Sequence, residues 1–259
     1  MKSEQEPKSL SQKRFGQFAE NYVTSQSHAK GYDLDQMVKI ANPQADWLVL
    51  DVATGGGHTA LKFAPVVKKV IATDITPEML AAAQKFVQSQ GAANVIFEPA
   101  DAQNLPFEDT LFDLVTCRIA PHHFPDCVRF IQQGSRVLKF GGLLLVQDHL
   151  LPEDQTAAHF IDDFERLRDS SHNQAFSKSQ WIQMFEQAGL QVIHTEEIIK
   201  RHQLFPWAER QGCSPETILV LTKMLKDAPA SATKWLQVEN LGTSEASFVN
   251  HHILIAGSK

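Results

Sequence analysis

Cysteine is scarce in this chain: Cys117, Cys127 and Cys213 are the only three among 259 residues. An odd, scattered set builds neither a disulfide framework nor the spacing of a metal site, so a reduced, cytoplasmic setting is expected and a metal is not. Long apolar runs are missing as well. Stretches such as Leu143-Leu144-Leu145-Val146 stop far short of the ~20 residues a membrane-spanning helix needs, so no stable membrane insertion is expected. The opening residues Met1-Lys2-Ser3-Glu4-Gln5-Glu6-Pro7-Lys8 are polar and lack the apolar core of a signal peptide. An excess of positive charge is absent too. The formal net charge is −6, which provides no global field to attract a phosphate polymer, and a nucleic-acid partner is not expected. No repeat or low-complexity segment stands out. What remains, 43% hydrophobic and 21% charged, is the composition of an ordinary globular protein, long enough for one large domain.

The patterning then orders the chain. Helical spacing occurs over residues 13–25, where Phe15, Phe18 and Tyr22 share one face, and again over 34–40 before Asn42-Pro43. Beyond that point short apolar runs alternate with amphipathic stretches. Strands are predicted at 47–52, 69–73, 94–98, 112–117 and 143–148. Helices are predicted between them, one opened by Thr76-Pro77 and ended by Gly91, another over 126–138 closed by Gly141-Gly142. Strand–helix alternation of this length implies right-handed crossovers and a parallel sheet. The second half gives a helix over 155–170 and one opened by the capping-box pattern Ser177-Lys178-Ser179-Gln180. A strand over 191–200, helices over 206–211 and 215–226, and a last strand over 247–256 follow. With no linker in view, residues 1–259 read as a single domain. Its core covers about 30–150 and 190–259, and helical cap elements cover about 151–189 and 205–230.

One segment carries most of the chemistry. Asp51-Val52-Ala53-Thr54-Gly55-Gly56-Gly57-His58 lies where a strand gives way to a helix, a place where glycine permits tight turning and close approach of backbone to a ligand. Roughly 20 residues on, Asp74 ends the second strand, where a carboxylate accepts hydrogen bonds from ribose hydroxyls. Asp101 follows the third strand. Three carboxylates at successive strand ends converge on the crevice where open α/β sheets bind ligands. Each piece alone has a plain structural explanation, a tight turn or a helix cap; the ordered combination is far more specific.

These residues resemble the class I S-adenosylmethionine (SAM)-dependent methyltransferases, and within them the branch of the ubiquinone/menaquinone C-methyltransferases. The resemblance rests on residues 51–60, on Thr73-Asp74-Ile75-Thr76-Pro77-Glu78-Met79-Leu80, and on Asp101-Ala102-Gln103-Asn104-Leu105-Pro106-Phe107. It continues through Phe112-Asp113-Leu114-Val115-Thr116-Cys117-Arg118 and Leu138-Lys139-Phe140-Gly141-Gly142. It is strong over about 47–150, and beyond that extends only to layout. One departure is Ala53, where the family usually has glycine; alanine fits there if its φ is negative. The resemblance implies an α/β, doubly wound, mostly parallel Rossmann-like sheet of about seven strands, with an antiparallel last strand and a helical cap. It also implies SAM as cofactor. Thr54, Gly55 and Gly57 would then border its methionine part, and Asp51 would contact its amino end. Asp74 would hold the ribose and Ile75 pack on the adenine. Asp101 would accept from the adenine amino group and Ala102 offer its N–H to the ring. Arg118 and Ile119 would flank the reactive end. The segment with Phe15, Phe18 and Tyr22 would close over the cofactor as a lid.

A rival within the architecture is a nicotinamide-dependent oxidoreductase, since Gly55-x-Gly57-x-x-Ala60 satisfies the loose dinucleotide fingerprint. Against it, a carboxylate at Asp51 would repel a pyrophosphate, and the Asp101-Ala102 pair has no role in that fingerprint. The acceptor is expected to be a small molecule such as a quinol, a phenol or an activated carbon. His122 and His123, after the fourth strand, are the candidate bases, weighed against a plain hydrogen-bonded turn. Asp148-His149 is a second polar pair, read as structural. The remaining alternative is a SAM-binding sensor or partner subunit without turnover.

Overall fold

The computed structural model describes residues 31–259. The helix expected over 13–25, and with it the lid of Phe15, Phe18 and Tyr22, lies outside the described residues.

Helix α1 (Tyr32–Ala41) buries Leu34, Met37 and Ala41 at helical spacing, and Asn42 ends it in a left-handed conformation ahead of Pro43. Strand and helix then alternate: β1 (Leu48–Val52), α2 (His58–Phe63), β2 (Lys69–Asp74), α3 (Pro77–Ser89), β3 (Val95–Pro99), β4 (Phe112–Arg118), α4 (Cys127–Val137) and β5 (Leu138–Leu151). The cap position of α3 is Thr76, with Pro77 first in the helix, but the threonine hydroxyl makes no capping bond. Residues 141–142, expected to close the helix before β5, instead lie inside the strand. Helix α4 passes straight into β5 at Leu138, and a Cβ on Gly142 would come within 3.0 Å of the Asp113 carbonyl of β4. That glycine serves close strand approach, not helix termination.

The rest of the chain supplies α5 (Gln155–Arg168), a two-residue β6 (Phe176–Ser177), α6 (Lys178–Gln187), β7 (Gln191–Gln203), α7 (Leu204–Glu209), α8 (Pro215–Lys226), α9 (Ala230–Leu236) and β8 (Ser247–Ser258). Ser177 and Gln180 form both halves of the capping box that opens α6, and Ser214 caps α8. The sheet order is β3-β2-β1-β4-β5-β8-β7, with β6 paired to β5. All neighbours are parallel except β8, which runs antiparallel between β5 and β7. The chain winds outward from β1 in both directions, so the reversal of order falls between β1 and β4, and the crevice opens there.

Alternation along the strands separates two cores. Val49, Leu114, Leu145 and Leu254 face Met37, Ala41 and Phe63 of α1 and α2. Leu50, Val115, Leu144 and Ile253 face Phe130 and Ile131 of α4 and Trp181 and Phe185 of α6. Each aliphatic side chain buried this way contributes about 1.5–3 kcal/mol. A third cluster joins α5, α7, α8 and α9 over Phe248 of β8, with Phe164 stacked on Trp207 at 5.2 Å between ring centroids. The cap spans read from sequence differ from this packing at two points. Helix α6, inside 151–189, packs on the sheet, and α9 lies beyond 230 yet belongs to the outer cluster. Leu167 of α5 is 39% exposed and turned from that cluster. Strand β7 is the sheet edge, and its Ile193 and Ile199 are exposed. Among the described residues no helix is long and apolar enough to cross a membrane.

Candidate active site

The loop after β1 turns through three positive-φ residues, Ala53 (53°), Gly55 (55°) and Gly57 (82°). The negative φ that would suit alanine at position 53 is not what the fold adopts. Ala53 stands in the left-handed region, at a cost of about 1–2 kcal/mol that glycine would avoid. Gly55 faces the cleft, and a Cβ there would touch only the Met79 methyl, at 3.6 Å. Gly57 does not line the cleft. It packs against α3 so closely that a Cβ would lie 2.8 Å from Val87 Cγ2.

Asp51 is fully buried below this loop and does not line the cleft. The Thr54 hydroxyl donates to one carboxylate oxygen at 2.6 Å and the Thr116 hydroxyl to the other at 2.8 Å. Burial pushes its carboxyl up to about 6 despite those donors and Arg118. The residue therefore braces the loop from beneath, tying β1 to β4.

Asp74 lines the cleft at the end of β2. It accepts the Gly55 N–H at 3.1 Å and the Thr76 N–H at 2.9 Å, which fixes the glycine loop to the start of α3. Burial raises its carboxyl above the ordinary aspartate range. Asp101 accepts the Gln103 N–H at 3.0 Å, and Ala102 is nearly buried beside it. Thr54, Gly55, Asp74, Ile75, Asp101, Ala102 and Arg118 all border one cleft of about 990 Å³, counting the solvent at its mouth. The guanidinium of Arg118 is held by Asp33 of α1 at 2.7 Å and by the Thr59 hydroxyl at 3.3 Å. Lys200 of β7 reaches the other oxygen of the same Asp33 at 3.6 Å. Ile119 follows with φ 53°, an unusual state for a β-branched residue, pinned by its N–H donating to the Gln147 carbonyl at 2.7 Å.

The two candidate bases are separated by the structure. They share a single 3₁₀ turn (Pro121–His123), yet only His123 borders the cleft. Its Nδ1 lies 3.0 Å from the Ser171 carbonyl oxygen. A carbonyl only accepts, so Nδ1 carries the proton and Nε2 the lone pair. His122 is turned inward, with Nδ1 at 2.6 Å from Asp148. Around it pack His149 and His172, at 4.4 and 5.3 Å between ring centroids. Burial pushes the imidazoles of His122 and His149 well below their ordinary value, so they stay neutral. Among the described residues, no three His, Cys, Asp or Glu side chains stand where they would hold a metal ion. Sequence reasoning gave no site role to Met79 and Gln103, though both lie inside the quoted motifs, nor to Phe124 and Pro125, which directly follow His123; all four also line the cleft.

A doubly wound sheet of this order, with an antiparallel strand inserted next to the edge and a carboxylate-floored cleft at its switch point, is the layout of the class I SAM-dependent methyltransferases. The chain belongs to the methyltransferase family: the family model described as a methyltransferase domain matches residues 44–189. It is 37% identical over 246 residues to the methyltransferase YcgJ of Bacillus subtilis (strain 168), covering 95% of this chain and 97% of that one. The YcgJ crystal structure superposes with a TM-score of 0.83 at 36% identity, over 88% of this chain and 98% of that one. A crystal structure from Bacillus halodurans C-125 gives 0.85 at 37% identity, over 88% and 99%. The ubiquinone/menaquinone biosynthesis C-methyltransferase UbiE of Saccharophagus degradans is 34% identical over 121 residues, 45% of this chain and 49% of that one. The protein is a SAM-dependent methyltransferase. The donor set fits that cofactor: a carboxylate at the cleft floor, open space above Gly55, and a second carboxylate beside a nearly buried alanine.

Proposed function

We propose that the protein methylates a small-molecule acceptor carrying an acidic O–H or C–H, such as a quinol, a phenol or an activated carbon acid, and that His123 takes its proton. The observation that carries this reading is His123 itself, at the cleft wall with Nδ1 held by a carbonyl and its lone pair on Nε2. When bound, SAM supplies a methyl already activated by its sulfonium, so the protein's part is alignment, exclusion of water and removal of one proton.

In this reading Asp74 accepts from the ribose hydroxyls and Ile75 packs on the adenine. Asp101 and the Ala102 N–H address the adenine edge. Thr54 and Gly55 border the methionine part, while Asp51 and Gly57 act from behind by holding the loop in shape. Arg118 and the strained Ile119 bound the reactive end. Two relatives support an acceptor of this kind by their names, the UbiE C-methyltransferase and the 27-O-demethylrifamycin SV methyltransferase of Amycolatopsis mediterranei. A single domain acting in the cytoplasm, without nucleic acid, agrees with the net charge of −6 and the reduced-compartment cysteine usage.

Single-turnover methyl transfer to a panel of quinols and phenols tests the proposal. His123→Gln should lower the rate by about 10²–10⁴-fold while SAM affinity stays near the parent value. A chemical step as fast in the variant as in the parent would remove the base and leave catalysis to alignment.

A further inference from the structure

The cleft does not explain why so much polar material is buried behind it. Asp148 of β5 is wholly inaccessible, and each of its oxygens meets His122. One accepts the His122 backbone N–H at 2.7 Å, and the other meets the His122 ring at Nδ1, 2.6 Å away. The His122 carbonyl in turn accepts the Asn173 and Gln174 N–H groups at 2.8 and 3.1 Å. The Asn173 side chain donates to the Phe124 carbonyl at 2.8 Å, binding the same segment to the far side of the turn. That segment contains Ser171, whose carbonyl holds His123 Nδ1, and Asp169 fixes Ser171 by accepting its N–H at 2.9 Å and its hydroxyl at 2.5 Å. The bonds close a ring from Asp148 through His122 and the 171–174 segment to His123.

We propose that Asp148 is a positioning residue for methyl transfer: by clamping the backbone and ring of His122 it fixes the turn that presents His123, and through the His122 carbonyl it seats the segment that sets the His123 tautomer. The inference rests on the reading of His123 as the base. Asp148 does not line the cleft, so its effect on the reaction passes through these bonds.

The groups facing this pair come from every element around it. His149 lies beside Asp148 on β5, and His252 comes from β8. Arg168 and Glu165 come from α5, and His172 and Asp169 from the segment that follows it. Cys117 of β4 and Cys127 of α4 face it from the sheet and the helix, their thiols pushed well up by burial. Burial holds His122, His149 and His252 neutral and pushes the Asp148 carboxyl up to about 7 against the pull of the His149 and His122 N–H groups. Burial also lowers His123, while the Asp169 and Asp148 charges raise it.

Asp148→Asn keeps an acceptor for the His122 N–H, removes the charge and turns the ring contact around. The full-length variant should transfer methyl about 10–100-fold more slowly per folded molecule, with the Kd for SAM within twofold of the parent. In the variant the His123 imidazole ¹⁵N shifts should move away from the Nδ1-protonated pattern, because the segment that holds Nδ1 is no longer seated. An unchanged rate per folded molecule, whatever the melting temperature does, overturns the proposal. Imidazole ¹⁵N shifts of the parent protein give a second reading that needs no variant. His123 should be protonated at Nδ1, and a parent protonated at Nε2 also overturns the proposal. His123→Gln separates the two ideas. If that variant keeps the parent rate, the base itself is wrong; if it is slow while Asp148→Asn is not, only the role of Asp148 falls.

Discussion

The cofactor side of the cleft and the histidine cluster behind it are built over very different spans of chain. On the cofactor side the turns themselves are shaped by short-range bonds: Thr54 reaches Asp51 three residues away, Thr76 and Gln103 reach aspartates two residues away, and Gly55 to Asp74 spans 19, while the long spans, Thr116 to Asp51 (65) and Arg118 to Asp33 (85), join a strand or helix to its packed neighbour. On the histidine side His122 to Asp148 spans 26 residues and His123 to Ser171 spans 48. Short turns at the ends of strands carry their own geometry, so the cofactor loops depend on neighbours that the sheet already fixes. The histidine cluster exists only when the 3₁₀ turn, β5, β8 and the segment after α5 have all come together. The first region is therefore a set of separable parts, the second a single unit whose members couple.

Substitutions on the cofactor side test that separability. Asp74→Ala should have the largest effect, weakening SAM binding by about 1.5–3 kcal/mol as read by calorimetry. It should also lower the melting temperature of the cofactor-free protein, because the Gly55 and Thr76 N–H groups lose their acceptor. A variant with parent affinity would put the ribose elsewhere. Gly57→Ala should destabilise by about 1–3 kcal/mol through positive φ and overlap with Val87, read from urea midpoints. Since Gly57 does not face the cleft, affinity per folded molecule should move little; a large loss of affinity at full stability would break the division between loop shape and ligand contact. Ala53→Gly should raise stability by about 0.5–1 kcal/mol, relieving the left-handed alanine.

A further effect is a pH dependence. The Asp51 carboxyl stands at about 6 in the folded protein against an ordinary 3.8, so the folded state binds the proton more tightly. Its contribution to stability is fully present below 3.8 and is lost as pH rises to about 6. The melting temperature of Asp51→Asn relative to the parent should therefore climb across that window and level off above it. A difference that is flat in pH would mean that Asp51 is not the titrating group.

The same contrast in span decides what can be read from the sequence. The aspartates of the cleft stand out because each follows a short apolar strand, and strand ends meet at one edge of a parallel sheet. Ser177, Gln180 and Ser214 are equally plain, since a cap needs only its own first turn. His122 and His123 are visible as a pair, but nothing local says which of them faces the cleft. That choice is made by Asp148, a partner 26 residues away that a reading by segments takes for a structural end of strand. Position 53 fails for a different reason. Sequence marks it as a departure from glycine, while the sign of φ depends on the bond from the Thr54 N–H to the Thr73 carbonyl across β1 and β2. Helix α9 carries too little apolar spacing in seven residues to be seen alone, and it forms because Leu236 and Ala232 complete the outer cluster.

Strand β8 lies between β5 and β7, although it follows both in the chain. During synthesis β7 therefore leaves the ribosome before β8, the strand it pairs with among the described residues, exists. For that interval the backbone groups of residues 191–203 lack the partners that β8 provides in the folded sheet. Glu196 and Glu197, followed by Lys200 and Arg201, put charges of both signs in the same stretch, and charges on an unpaired edge are a means by which it resists joining another copy of itself. The charge pattern of β7 thus guards the protein while it is being made as well as after it has folded.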